Sequence, residues 1–198
     1  MANVTDYARP QEGEAVETAR VTVVFMRMLE LPLGQAVAWP DGVEVEKVRL
    51  SVPQYRALYD EIGRDWLWWM RRMMPDDMLD AHLSRPTLDV RLLKVNGEVA
   101  GFYELDANYW PYVNLNYFGL KQRFIGQGLG GKFLRHAILS VFTGSTGLRG
   151  VLVNTCSADH PRALPNYLRA GFVEYRREVE TWEIPVRLGL SVPAHVRG

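Results

Sequence analysis

The feature that most constrains the fold is a glycine-rich stretch in the middle of the chain, where residues 126, 128, 130 and 131 are all glycine. Residues 112–120 before it predict a strand, and residues 129–142 predict a helix with one apolar side. Glycines at such a junction permit a sharp turn and bring several backbone N–H groups close to an anion, to which the helix N-terminus adds its positive end. The stretch therefore predicts a strand–loop–helix unit that binds phosphate groups.

The pattern around this unit predicts an α/β fold. Asn96-Gly97 is a pair typical of a two-residue hairpin turn, and Gly171 is well placed to end a helix over residues 160–170. Strands that alternate with helices after a hairpin favour a mixed, splayed central β-sheet with flanking helices and a parallel βαβ unit at its centre. The predicted strands of this half lie at residues 88–95, 99–105, 112–120, 151–155 and 173–184.

The N-terminal half predicts a more variable set of elements. Residues 21–33 predict a strand or a short helix, because their periodicity does not separate the two. We expect residues 1–18 to form a loosely ordered arm and residues 19–198 a single domain, since 198 residues with 47% hydrophobic content can bury one continuous core. The other predicted elements here are a strand at 43–49, one long helix at 51–74 and a short helix at 76–83.

Composition excludes several classes of protein. The chain has 23 basic and 23 acidic residues and a formal net charge of zero, which argues against a general nucleic-acid binder. Its single cysteine, Cys156, rules out an internal disulfide and a metal site made of several thiolates, and we expect no bound metal. The most apolar early stretch, residues 21–33, contains charged residues and a proline and is too short to span a bilayer. We therefore expect a cytoplasmic protein that does not bind membranes.

The glycine stretch also satisfies a second phosphate-binding pattern. Gly126 to Gly131 reads Gly-x-Gly-x-x-Gly, which in dinucleotide-binding folds is followed about 20 residues later by an acidic residue that holds the ribose hydroxyls. No aspartate or glutamate occurs between Gly131 and Ala158, and the first one is Asp159. A P-loop is excluded because no Gly-Lys-Ser/Thr follows at the required spacing. The dinucleotide-binding alternative therefore lacks the acidic residue that would hold the ribose. Thermal stabilisation of the protein by NAD would support this alternative.

Two motifs resemble one family. Residues 123–128, Arg-Phe-Ile-Gly-Gln-Gly, match the Arg/Gln-x-x-Gly-x-Gly/Ala signature of the GCN5-related N-acetyltransferases (GNAT), in which this loop follows the fourth strand and its amides hold the pyrophosphate of acetyl-CoA. Downstream, Ala163, Tyr167, Gly171 and Phe172 reproduce the family's Ala-x-x-x-Tyr-x-x-x-Gly-Phe ending. The resemblance covers about residues 88–182, and the chain looks similar to a bacterial subgroup of uncharacterised acetyltransferases.

The resemblance implies an enzyme that moves an acyl group from acetyl-CoA to an amine of a small-molecule or peptide acceptor, by direct attack in a ternary complex. It also implies that strands near residues 117–120 and 153–155 splay apart, so that the amide of Phe118 or Leu120 can reach the thioester oxygen. A homodimer is left open, and so is a catalytically silent acyl-CoA-binding sensor or interaction module. The implied cofactor-binding residues are Phe118, Gly119, Leu120, Arg123, Phe124, Ile125, Gly126, Gln127, Gly128, Leu129, Gly130, Asn154, Thr155 and His160.

Tyr167 is the candidate general acid, because a phenol can protonate a departing thiolate; the alternative is a core tyrosine. Pro165 lies two residues earlier and must delay the helix start or cost it a hydrogen bond. We expect a mainly local structural role for His160. Cys156 follows a short apolar strand, which predicts a buried and unreactive thiol.

The general base is less defined. The glutamate that the family often places before the loop is missing, and Glu104 and Asp106 on the preceding strand are the nearest substitutes, acting through a water molecule. Trp68 is the aromatic residue that we expect in an acceptor pocket. Arg71 and Arg72 could attract a carboxylate of the acceptor, but the pattern favours a solvated helix face.

Overall fold

The computed structural model of the protein describes residues 6–31, 36–143 and 146–198. Its strands are β1 (Val16–Met28), β2 (Val43–Val48), β3 (Leu88–Val95), β4 (Glu98–Asp106), β5 (Tyr112–Leu120), β6 (Gly150–Cys156) and β7 (Val173–Pro185). Its helices are α1 (Val52–Gly63), α2 (Met70–Met73), α3 (Asp76–Leu83), α4 (Leu129–Thr143) and α5 (Ala163–Ala170). Among these described residues, no helix is long and apolar enough to cross a bilayer.

The described strands form one seven-stranded sheet in the order β2-β3-β4-β5-β6-β1-β7. All neighbours are antiparallel except β5 and β6, which run parallel and are joined by α4. The predicted mixed α/β sheet with a parallel βαβ unit at its centre is therefore confirmed.

Strand β1 lies between β6 and β7, far in sequence from both. It pairs with β6 from Val23↔Cys156 to Met28↔Val151 and with β7 from Val16↔Pro185 to Arg27↔Val173. Of the two structures predicted for residues 21–33, the strand is correct, although residues 32–35 lie outside the described part. The strand starts at Val16, inside the expected arm, and a 3-10 turn over Asp6–Ala8 precedes it. Because of β1, the glycine stretch follows the fifth strand of this chain.

Helix α1 ends at Gly63, although the apolar periodicity continues beyond it. Trp68 folds back on this residue: its amide donates to the Gly63 carbonyl at 3.0 Å, and a Cβ at position 63 would lie 2.4 Å from the Trp68 Cβ. Leu67 takes a left-handed φ of 53° at this bend. The prediction of one helix over 51–74 is therefore wrong, because separate short segments that pack on the same sheet continue the apolar pattern.

Helices cover both faces of the sheet. Along β4, Phe102 packs with Tyr55 and other residues of α1 and α3, whereas its neighbour Tyr103 packs with Phe133 and other residues of α4. Side chains alternate between the two faces of a strand, so these two apolar clusters lie on opposite sides of the sheet.

Candidate active site

Strands β5 and β6 pair over only four residues. Their register runs from Tyr112↔Gly150 to Leu115↔Val153 and stops there. Beyond that point β5 remains paired with β4 as far as Leu120, and β6 remains paired with β1 as far as Cys156. The two strands thus diverge as predicted, and the edges over 116–120 and 154–156 face an open gap.

A β-bulge lies where the strands part. Glu104 pairs with Tyr117 while Leu105 pairs with Leu115, so Asn116 is an extra residue on β5. The bulge turns two consecutive side chains to the α1–α3 face: Asn116 donates to Glu104 Oε1 at 2.8 Å, and the Tyr117 hydroxyl lies 3.4 Å from that of Tyr59. It therefore delivers an amide and a phenol to the same side of the gap.

The free edge of β5 offers backbone donors. Lys121 donates its amide to the carbonyl of Ala100 on β4 at 2.8 Å. Since the N–H groups of successive residues in an extended strand point to opposite sides, the amides of Leu120 and Phe118 point away from β4 and into the gap.

The glycine stretch forms an open turn at one end of the gap. Gly126 and Gly128 have φ of 89° and 76°, and a Cβ at either position would meet no atom within 4 Å. Helix α4 begins at Leu129. The amides of residues 126–130 donate no hydrogen bond to any other described residue. A row of unpaired N–H groups at a helix N-terminus is a site for an anion.

The residues just before this turn have other partners. The amides of Phe124 and Ile125 donate to the carbonyls of Lys121 and Gln122 at 2.9 and 3.1 Å. Arg123 is paired with Glu98. The anion cradle therefore begins at residue 126 rather than at residue 123.

The gap opens into a cleft of about 1180 Å³. Tyr59, Trp68 and Tyr117 form an aromatic cluster on its α1 side, with ring centroids 5.0 to 5.4 Å apart. Trp68, expected in an acceptor pocket, thus lines the cleft. His160 lines it as well; its ring contacts Trp66 edge-on, and its Nδ1 accepts the amide of Arg162 at 3.0 Å.

Tyr167 lies in this cleft on α5. The helix begins at Ala163, so Pro165 lies in the first turn, where its missing N–H costs no hydrogen bond. The tyrosine ring packs edge-on against Phe118 and Phe172, with centroids 6.5 and 5.8 Å away. Burial, with a smaller contribution from the charge of Asp159, raises the pKa of the Tyr167 phenol well above its usual range. The phenol therefore carries its proton.

Asp159 and Cys156 occupy the carboxyl end of β6. Asp159 Oδ2 accepts hydrogen bonds from Thr155 Oγ1 at 2.6 Å and from the Cys156 amide at 2.9 Å. Burial raises the pKa of the Asp159 carboxyl despite these bonds. Burial and the nearby Asp159 charge also raise the pKa of the Cys156 thiol to about 12, so this thiol is protonated and is a poor nucleophile.

Glu104 is fully buried beneath the residues that line the cleft, with a relative exposure of 0%. Its Oε2 accepts the Tyr55 hydroxyl at 2.6 Å, and its Oε1 lies 2.9 Å from Arg71 Nη2 and 3.1 Å from His82 Nε2. Burial would raise the pKa of Glu104, but the Arg71 charge and the hydrogen bonds from His82 and Tyr55 outweigh it and hold the pKa well below its usual range. The Glu104 carboxylate therefore stays ionised and serves as the counter-charge of Arg71 in the folded protein.

This geometry argues against the role of general base expected of Glu104. The carboxylate has no contact with solvent and does not line the cleft. The solvated helix face favoured for Arg71 and Arg72 is also wrong, since these side chains are only 11% and 14% exposed and pair with Glu104 and Asp60. The substitute Asp106 is paired with Arg85 at 2.5 Å.

Comparison with known proteins agrees with the fold. The model of the Acetyltransferase (GNAT) family matches residues 55–172, more than half of the chain. The chain belongs to the GNAT acetyltransferase family. No curated protein matches the chain at a significant level.

Solved structures of GNAT proteins share the fold. A GCN5-related N-acetyltransferase from Sphaerobacter thermophilus has a TM-score of 0.63 and 16% identity over 86% of this chain and 53% of its own. One from Kribbella flavida has a TM-score of 0.54 and 16% identity over 85% of this chain and 60% of its own. The ribosomal-protein-S18-alanine N-acetyltransferase from Escherichia coli has a TM-score of 0.54 and 14% identity over 72% of this chain and 94% of its own. The chain spans little more than half the length of the first two.

The GNAT domain brings most of the predicted site residues into one cleft. Those that line it are Phe118, Gly119, Leu120, Ile125, Gly126, Gly128, Gly130, Asn154, His160 and Tyr167. Those that do not are Glu104, Arg123, Phe124, Gln127, Leu129 and Thr155. Phe124 and Leu129 pack in the core under the glycine turn, and the Thr155 hydroxyl is bonded to Asp159.

Four further residues line this GNAT cleft and were not predicted as site residues from the sequence: Asp159, His82, Arg71 and Asn116. Asp159 had a usable signal, because it follows the carboxyl end of a strand in a parallel pair, where ligands of α/β folds bind. The other three come from α3, α2 and the bulge of β5, and no local pattern in the sequence connects them.

Proposed function

We propose that this GNAT domain transfers an acetyl group from acetyl-CoA to an amine of a small-molecule or peptide acceptor. The observation that carries the proposal is the gap between β5 and β6, which opens beside the unpaired amides of 126–130. A diphosphate and an extended amide-containing chain fit these two features, since the first needs several N–H donors and the second needs a free strand edge.

The described residues fit acetyl-CoA in a definite order. The amides of 126–130 would hold the pyrophosphate at the positive end of α4. The free edge over Phe118–Leu120 would pair with the pantetheine amides, and Asn154 and His160 line the opposite side of the cleft. When bound, acetyl-CoA supplies an acyl group that is activated as a thioester.

The chain's own groups support direct transfer. The amide of Phe118 or Leu120 stabilises charge that develops on the thioester oxygen. The protonated phenol of Tyr167 donates a proton to the departing sulfur. The protonated Cys156 thiol disfavours a covalent acyl-enzyme, so the acceptor amine attacks the acyl carbon itself.

The test is release of free thiol from acetyl-CoA in the presence of a panel of amines. The panel includes polyamines, amino acids and a peptide with an N-terminal alanine, the last because one structural relative is an alanine N-acetyltransferase. We expect CoA to stabilise the protein against heat and at least one amine to give thiol release.

Two results would contradict the proposal. CoA binding without thiol release, unaffected by Tyr167→Phe, would identify a silent acyl-CoA-binding module. Thermal stabilisation by NAD but not by CoA would identify a dinucleotide-binding protein instead.

A further inference from the structure

The proposed transfer requires a group that accepts a proton from the acceptor, because a primary amine is largely protonated at neutral pH and its cation has no lone pair for attack. Glu104 is sealed from the cleft, and Asp106 is paired with Arg85. The other acidic or imidazole side chains that line the cleft, among them His82, Asp159 and Glu180, are therefore the candidates for the base.

We propose that His82 is this general base and that Glu104 is the positioning residue that orients it; the inference rests on the proposed function. His82 lies on α3, lines the cleft, and has a side chain that is only 11% exposed. Its Nε2 lies 3.1 Å from Glu104 Oε1. Its Nδ1 has no hydrogen-bond partner among the described residues and is not sealed from solvent. One nitrogen is anchored and the other is free to react.

The proton of a neutral His82 belongs on Nε2. Oε1 of Glu104 is an ionised oxygen on which Arg71 Nη2 and Asn116 Nδ2 also converge, at 2.9 and 2.8 Å. A bare Nε2 would face this anion with its lone pair, whereas Nε2–H donates to it. The 3.1 Å contact between His82 Nε2 and Arg71 Nη2 follows from two donors sharing one oxygen. Nδ1 then carries the lone pair, as in carboxylate–histidine pairs that act as bases.

Charges around His82 come from several elements. The guanidinium of Arg71 on α2 is balanced by Glu104 on β4, and that of Arg85 after α3 is balanced by Asp106 on β4. Three phenols contact these ion pairs: Tyr55 on α1 donates to Glu104, the Tyr117 ring on β5 packs against Arg71, and the Tyr7 hydroxyl lies 3.4 Å from Arg71 Nη1. The formal charges cancel in pairs, so proton uptake at Nδ1 adds one positive charge to a neutral set.

The proton balance is simple. Nδ1 takes one proton from the ammonium form of the acceptor, which leaves a neutral amine with its lone pair. The N–C bond then forms and the C–S bond breaks, with the bonding electron pair remaining on sulfur. Tyr167 gives its proton to that sulfur and recovers one from the new amide nitrogen through water, and His82 releases its proton to solvent. The net products are an amide, a thiol and one proton.

The test compares three variants in the thiol-release assay across a pH series. His82→Gln keeps an N–H donor near Glu104 but removes the base. We expect kcat to fall by about 10² to 10⁴-fold and KM for acetyl-CoA to stay unchanged. The loss of activity that the wild type shows at acid pH should disappear in this variant. In His82→Ala, added imidazole should restore part of the rate. His195→Gln is the control, because His195 is exposed and its side chain forms one hydrogen bond among the described residues, to the carbonyl of Ser157 at 2.9 Å. The pH profile of this variant should match that of the wild type.

A second measurement does not depend on activity. The ¹⁵N chemical shifts of His82 in the wild-type protein report which nitrogen bears the proton, and we expect Nε2–H with a bare Nδ1. The opposite tautomer would overturn the proposal, even if His82 variants do not fold.

The other outcomes separate the inference from the proposed function. If His82→Gln turns over at the wild-type rate, or if Asp159→Asn rather than His82→Gln removes the acid limb, His82 is not the base although the enzyme is an acetyltransferase. If no amine gives thiol release with the wild type, the proposed function itself fails and the base with it.

Discussion

Leu115 of β5 and Val153 of β6 form the last pair of the parallel ladder, and the two strands part immediately beyond it. The next residue of β5, Asn116, is the extra residue of the bulge and donates a hydrogen bond to the buried Glu104. The bulge thus lies where the sheet opens, and it places Asn116 between the cleft and the buried Glu104.

The first prediction concerns the anion cradle. Gly128→Ala places a Cβ at a φ of 76°, which costs about 1–2 kcal/mol of strain, and should weaken CoA binding at least tenfold by moving the loop amides. Gly13→Ala is the matched control, because Gly13 has a φ of 77° with open space around it and lies outside the cleft. Calorimetric titration with CoA should show weaker binding only in the first variant. Equal affinity in both would place the pyrophosphate elsewhere.

The second prediction concerns Tyr167. Its hydroxyl has no hydrogen-bond partner among the described residues, so Tyr167→Phe should leave the free energy of unfolding within about 0.5 kcal/mol and lower kcat by at least about 10²-fold. Because its pKa is raised above 10, ionisation of this phenol should cause no loss of activity below pH 10. Tyr175→Phe, on the exposed surface of β7, serves as the control. A variant with wild-type kcat would make Tyr167 a packing residue only.

The third prediction concerns the stability supplied by Glu104. Glu104→Gln leaves the buried Arg71 guanidinium without its counter-charge and should lower the free energy of unfolding at pH 7 by about 3–5 kcal/mol. The folded-state pKa of Glu104 lies below its ordinary 4.5, so the carboxylate stabilises the fold fully above that pH and loses this contribution as the pH falls below it.

Urea denaturation over pH 3 to 7 measures this effect. The difference between wild type and Glu104→Gln should shrink below about pH 4.5. Glu178→Gln on β7, where the carboxylate lies 3.5 Å from Arg176 at the surface, should change stability little at any pH. A small, pH-independent effect of Glu104→Gln would mean that the buried network is not charged.

The fourth prediction concerns Cys156. With its pKa raised to about 12, the thiol should react with iodoacetamide at pH 8 far more slowly in the folded protein than in the urea-unfolded protein. Intact-mass analysis after mixing with acetyl-CoA should reveal no acetyl group on this residue. An acetylated Cys156 that forms and decays at the rate of turnover would replace direct attack by a covalent route.

The sequence by itself determined the glycine cradle, the hairpin and helix α5 with Tyr167. Each of these depends on backbone conformation over a few consecutive residues: the positive φ of Gly126 and Gly128, the turn at Asn96-Gly97, and the left-handed φ of 102° at Gly171, the residue that follows α5. Local conformational preferences are properties of residue types, so they can be read along the chain.

Only the tertiary structure decided what Glu104 does and where β1 lies. The partners of Glu104 come from positions 55, 71, 82 and 116, and strand β1 inserts between two strands more than 120 residues further along the chain. Whether a carboxylate is solvated or sealed depends on which distant groups fold over it, because burial and counter-charge set its ionisation and its access to substrate. A glutamate on a strand has the same neighbours in the sequence whether its carboxylate is solvated or buried.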